Sequence, residues 1–124
     1  MPGPTLPAGL EEFVDLFNKG AFWEAHEALE ADWRRTRSDF YHGLILYASA
    51  WVHHDRGNPH GIQAQLTKAT PLLQEYSAGY LGIDVSGILA QGRALAAGRP
   101  ASAPMILTDL KLIRGDEPEL EPAD

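Results

Sequence analysis

Two ionisable side chains four residues apart, His26 and Glu30, stand in a stretch that is otherwise rich in aromatic and aliphatic residues, Phe22-Trp23-Glu24-Ala25-His26-Glu27-Ala28-Leu29-Glu30-Ala31-Asp32-Trp33. At about 100° per residue, Phe22, Trp23, His26, Leu29, Glu30 and Trp33 fall within one sector of about 120° on a helix. His26 and Glu30 lie near the middle of that sector, where apolar side chains normally sit, while Glu24, Asp32 and Arg35 take the opposite face. An unpaired polar group buried there costs roughly 2–7 kcal/mol, so the pattern predicts that something satisfies the pair. Residues four apart on a helix are neighbours, and the Glu30 carboxylate can accept a hydrogen bond from the His26 imidazole.

The following helical stretch supplies further candidates. His42, Ser49 and His53 share a strip beside its apolar face and can converge on His26 and Glu30 if the two helices pack side by side, with Glu27 at the edge of the same sector. One reading is structural: a buried hydrogen-bond network that fixes helix register, in which Glu30→Ala costs more than about 1 kcal/mol by stranding its partner. A second is chemical: His26, Glu30 and His53 as ligands of a divalent metal with an open position and Glu27 as base, the outline of a small metal-dependent hydrolase. A third is a pocket for a small organic ligand between the second and third helices, lined by Trp23 and Trp33. The string His26-Glu27-Ala28-Leu29-Glu30 lacks the second histidine that a zinc-protease motif needs at Glu30. No glycine-rich phosphate loop, nucleophile elbow or dinucleotide fingerprint is present. Arg34, Arg35 and Arg37 stand where a helix C-terminus favours positive charge, His54 and His60 read as exposed, and Trp23, Trp33 and Trp51 read as core residues.

Composition narrows the field. The chain has 124 residues, 44 % of them hydrophobic, and no cysteine, which suits one domain and excludes disulfides, thiolate nucleophiles and sulfur-based zinc sites. No apolar run approaches the ~18 residues of a membrane span, and the N-terminal residues do not resemble a secretion signal, so a cytoplasmic location is expected. The formal charge of -7 is concentrated at the end: residues 115–124 hold five acids and no base, which leaves -2 for the rest. Neither balance favours nucleic acid, whose phosphates demand a basic face.

The elements that must position these residues are all helical. A first helix is expected from about Pro7 to Lys19, stopped by Gly20, and a second from Ala21 to about Arg35, which together make a tight hairpin. Ser38 is a good cap for a third helix reaching Arg56, apolar on nearly every side and therefore central. Gly57-Asn58-Pro59 reads as stop, cap and first-turn proline, giving a second hairpin. Pro71 predicts a kink or break in the fourth helix, and Asp84 caps a fifth that ends near Gly98. The expected fold is therefore an all-α, compact bundle of about five helices over residues 1–98. A linker and apolar arm follow over 99–114, and a disordered acidic tail over 115–124.

The run Phe17-Asn18-x-Gly20-x-Phe22-Trp23-x-x-His26-Glu27-x-x-Glu30-x-x-Trp33 resembles the signature of the domain of unknown function 309 family of small bacterial and archaeal proteins. The likeness continues through Gly43-Leu44-Ile45, Ala48, Ala50, His53, Gly57-Asn58, Gly61 and Lys68-Ala69, from about Leu10 to Gly98. It implies a helical bundle and places His26, Glu27, Glu30, Trp33 and His53 on the family's motif positions. The family pattern leads one to expect an amide side chain where this chain has His42. The resemblance brings no activity with it.

The reading that results is a non-enzymatic helical interaction or scaffold module built around a buried His–Glu network, with no cofactor and with a second copy or another protein as partner. The metal enzyme and the small-ligand pocket stand as the alternatives, and neither nucleic acid nor membrane is expected as a partner.

Overall fold

Three helices begin where a side-chain oxygen replaces a missing backbone acceptor. In the computed structural model, which describes residues 8–99, Ser38 Oγ accepts from the Tyr41 amide at 3.2 Å, Asn58 Oδ1 from Gly61 at 3.1 Å and Asp84 Oδ1 from Gly87 at 3.0 Å. Each bond satisfies one of the orphan donors of a helix N-terminus, worth about 1 kcal/mol. The five helices are α1 (Ala8–Asn18), α2 (Phe22–Thr36), α3 (Asp39–Asp55), α4 (Pro59–Leu73) and α5 (Val85–Ala96), with a 3₁₀ turn at Tyr80–Gly82. The protein is an all-α helical bundle, with no strand among the described residues.

The turns make the hairpins tight. Gly20, at φ 84°, lets its amide bond Phe17 O at 2.9 Å while Ala21 N bonds Leu16 O at 2.9 Å, a Schellman ending that reverses the chain at once into α2. Gly57, at φ 68°, does the same service between α3 and α4. The end of α2 uses no glycine: Arg37 adopts φ 57° and its amide reaches Trp33 O at 2.6 Å. A left-handed arginine costs about 1–2 kcal/mol. Its guanidinium lies 4.9 Å from the Trp33 ring centroid, and that cation–π contact offsets part of the cost.

α3 is the central element, packed between α2 and α4, and its buried residues point to all sides. An aromatic chain ties three helices together at one end. Phe17 of α1 meets Phe22 of α2 at 4.9 Å and Tyr47 of α3 at 5.7 Å, and Phe22 meets Trp51 at 5.7 Å. At the other end Phe40 sits between Tyr76 and Tyr80, at 4.9 and 4.7 Å. Such pairs add about 0.5–1.5 kcal/mol each to the area they bury.

Some expectations change. Pro71 neither breaks nor interrupts α4, which continues to Leu73, because the proline falls in the last turn and the helix stops two residues later. Leu81, a residue with no sequence signal for it, adopts φ 53° inside the 3₁₀ turn. The linker and apolar arm beyond Arg99 and the acidic tail over 115–124 lie outside the described residues. No helix among the described residues is long and apolar enough to cross a membrane.

Candidate functional site

The orientation of α2 decides the site. Its buried residues are Phe22, Ala25, Leu29 and Thr36, which span about 60° of the wheel. That face is rotated away from Trp23, Glu30 and, to a lesser degree, His26. Trp23 is therefore not a core residue: it is 49 % exposed, whereas Trp51 is 2 % exposed. Trp33 is half-buried and stacks on His42 at 4.6 Å.

His26 and Glu30 go separate ways. The His26 ring lies flat against Trp23, with centroids 5.2 Å apart and planes at 17°, and its Nδ1 is buried with no hydrogen-bond partner. Glu30 instead faces Arg34 at 3.5 Å, its side chain 32 % exposed and that of Arg34 65 %. A surface pair of this kind contributes about 0–1 kcal/mol. The expected loss of more than ~1 kcal/mol in Glu30→Ala is revised downward accordingly. Glu27 is exposed on the same outer face.

The strip on α3 does not converge on this pair either. His53 turns to α4, where its Nδ1 lies 3.1 Å from Asn58 Nδ2 and its ring fills the space over Gly61. His42 lies on Trp33, and Ser49 is half-buried. His54 and His60 are exposed, as their positions suggest. His26, Glu30 and His53 are thus not brought together, and among the described residues no three of His, Asp and Glu form a group that could hold a metal ion.

An open cleft does lie between α2 and α3, about 450 Å³ including its mouth, lined by Ala21, Phe22, Trp23, Val52, Asp55 and Arg56 among others. Trp23 contributes to it, as the ligand-pocket reading requires. Trp33 does not.

Sequence reasoning missed Tyr47 and Trp51 as a polar pair. Tyr47 Oη and Trp51 Nε1 are buried four residues apart on α3 without hydrogen-bond partners. Burial raises the Tyr47 phenol well above its ordinary range, and the neighbouring Trp51 indole opposes this slightly without reaching full hydrogen-bond geometry. The signal was the spacing itself, since both types carry a polar tip that a core helix must accommodate.

Comparison with known proteins finds one family model that resembles part of the chain. Residues 10–64 match the sequence model described as Domain of unknown function (DUF309). Over this stretch the chain is similar to the DUF309 family. No curated protein and no solved structure matches it. The DUF309 match covers nearly all of α1, all of α2 and α3 and the first turns of α4, so His26, Glu27, Glu30, Trp33 and His53 fall within it. It ends at Ala64, short of the Lys68-Ala69 and Gly98 positions that the sequence resemblance reaches.

Within the DUF309 stretch His42 offers a test. Burial holds its imidazole below the ordinary value of 6.5; Asp39 opposes the shift, and Lys68 and Arg37 add to it. The fold thus favours neutral His42, so its contribution is present above the unfolded value and is lost as pH falls below about 6.5. Wild type should lose more of its urea midpoint between pH 7 and pH 5 than His42→Gln, which has the amide expected at that position. Equal losses would mean that His42 titrates as it does in the unfolded chain.

Proposed function

We propose that the protein is a non-enzymatic helical interaction module that meets a protein partner, a second copy included, through the outer face of α2. The observation that supports this reading is the placement of Trp23. It is the exposed large hydrophobic side chain among the described residues, and it is held flat on His26 beside the cleft formed with Val52 and Arg56. Tryptophans lead the residues that dominate binding energy at interfaces, and a ring already held in place gives up less freedom on binding. Glu24 and Glu27, exposed beside it, provide a polar rim.

The reading invokes no cofactor and sets the protein in the cytoplasm, where a chain without disulfides is at home. The test compares wild type with Trp23→Ala. Sedimentation over a range of concentrations follows self-association, and affinity capture from a cell lysate follows association with other proteins. Association present in wild type and weakened at least ~10-fold in the variant supports the proposal. A monomeric chain whose captured proteins are the same with and without Trp23 contradicts it.

A further inference from the structure

At the end of the bundle where α3, α4 and α5 meet, a second groove of about 480 Å³, including its mouth, lies open. Pro59 and Ile62 of α4 and Leu95 and Ala96 of α5 give it apolar walls, and His54 and Arg99 stand at it as basic groups. Ile62 and Leu95 are themselves buried, so the floor is continuous with the core. α5 packs on α4 more sparsely than the other neighbouring helices pack on each other, and the groove is the space left by that loose seam.

The chain leaves the described residues at this groove. Gly98, at φ 73°, donates to Leu95 O at 3.1 Å and Arg99 to Ala94 O at 3.0 Å, a Schellman reversal that turns the backbone back over the last turn of α5. Arg99 lines the groove itself. The next five residues, Pro100-Ala101-Ser102-Ala103-Pro104, span at most about 18 Å, no more than the length of α5. Directly after them come Met105, Ile106, Leu107, Leu110, Leu112 and Ile113, six large apolar side chains within nine residues. Burial of such side chains favours a docked segment over a solvated one.

We propose that residues 105–113 of this same chain occupy the α4–α5 groove. The short linker holds the segment at an effective concentration on the millimolar scale, which favours the chain's own segment over that of a second copy. Charge agrees with the assignment. The residues that follow, 115–124, carry five acids and no base, and Arg99 and His54 are exposed at the groove, with Asp55 the acid beside His54 at 3.6 Å. This inference is independent of the Trp23 face, because it concerns α5 and the residues beyond the family match.

Trypsin reads the proposal directly, since Lys111 lies inside the segment and Arg114 just after it. The full chain is compared with two variants, Ile106→Asp/Leu107→Asp, which leaves the bundle untouched, and Ala96→Arg, which fills the groove. Cleavage after Lys111 should be at least about tenfold slower in wild type than in either variant, at a rate that does not change with protein concentration. Equal rates in all three chains overturn the proposal. So does an arm variant that is cut faster while folded Ala96→Arg keeps the wild-type rate, because the protection then comes from elsewhere. Protection that appears only as concentration rises assigns the groove to a second copy and overturns docking within one chain. If Ala96→Arg does not fold, as judged by far-UV circular dichroism, Leu95→Gln takes its place.

Discussion

Trp51→Ala is expected to remove about 3–5 kcal/mol of unfolding free energy, whereas Trp23→Ala removes about 1 kcal/mol or less. The two tryptophans differ in what surrounds them. Trp51 is 2 % exposed, with Phe22 at 5.7 Å, Tyr47 at 6.5 Å and His54 at 5.2 Å around its ring. Its removal opens a cavity where α2 and α3 meet and leaves the buried Tyr47 hydroxyl facing that void. Trp23 covers one face of His26 and borders the open cleft, and about half of its surface meets water. A bundle of this size has about 5–15 kcal/mol in hand, so Trp51→Ala brings it close to unfolding, and Trp51→Phe, which keeps an aromatic ring, should recover a measurable part. Urea titration followed by far-UV circular dichroism gives both values. Similar losses for the two alanine variants would place Trp23 in the core and remove the basis for an interface on α2.

The second large effect is at Gly61. A Cβ there would lie 2.3 Å from His53 Nδ1 and 2.4 Å from its Cγ, closer than real atoms approach. The imidazole is not free to swing aside without cost, because its Nδ1 also meets Asn58, whose side-chain Oδ1 caps α4. Gly61→Ala should therefore destabilise by about 1–3 kcal/mol, although alanine is the better helix former by up to about 1 kcal/mol. In a His53→Ala background the clash is gone, and the same substitution should be neutral or stabilising. That change of sign is a coupling energy between the two sites. Its absence in a double-mutant cycle would show that His53 does not pack over Gly61, and would reopen the question of whether it faces α2.

Ser38, Asn58 and Asp84 were readable as caps because each bond is made within three residues, where spacing alone fixes geometry. The centrality of α3 was readable because it is apolar all round. The face of α2 was misplaced for a specific reason. Trp23 was counted as apolar, and since it lies about 100° from Phe22, including it drew the assigned core face over His26 and Glu30. Tryptophan is amphipathic, and its burial follows from the neighbour it meets.

His53 was misdirected for a related cause. Both flanks of α3 are covered, so a polar residue at the edge of its apolar face can meet either α2 or α4, and only tertiary packing chooses. Gly61 was the clue, since a glycine early in α4 leaves room for a ring from the preceding helix. Arg37 and Leu81 adopt left-handed backbone without the glycine or asparagine that would announce it. The groove beside α5 arises from how α5 seats on α4, which no local pattern records.

Trp23 stands outside the core, and iodide quenching of tryptophan fluorescence reads that placement and its role as a contact residue. Of the three tryptophans, Trp23 is half exposed, Trp33 half-buried and Trp51 enclosed. A readily quenched fraction is expected in the dilute protein, vanishing in Trp23→Phe and shrinking in wild type as association proceeds. A quenchable fraction that is unchanged in Trp23→Phe, or that stays constant while the protein associates, would contradict it.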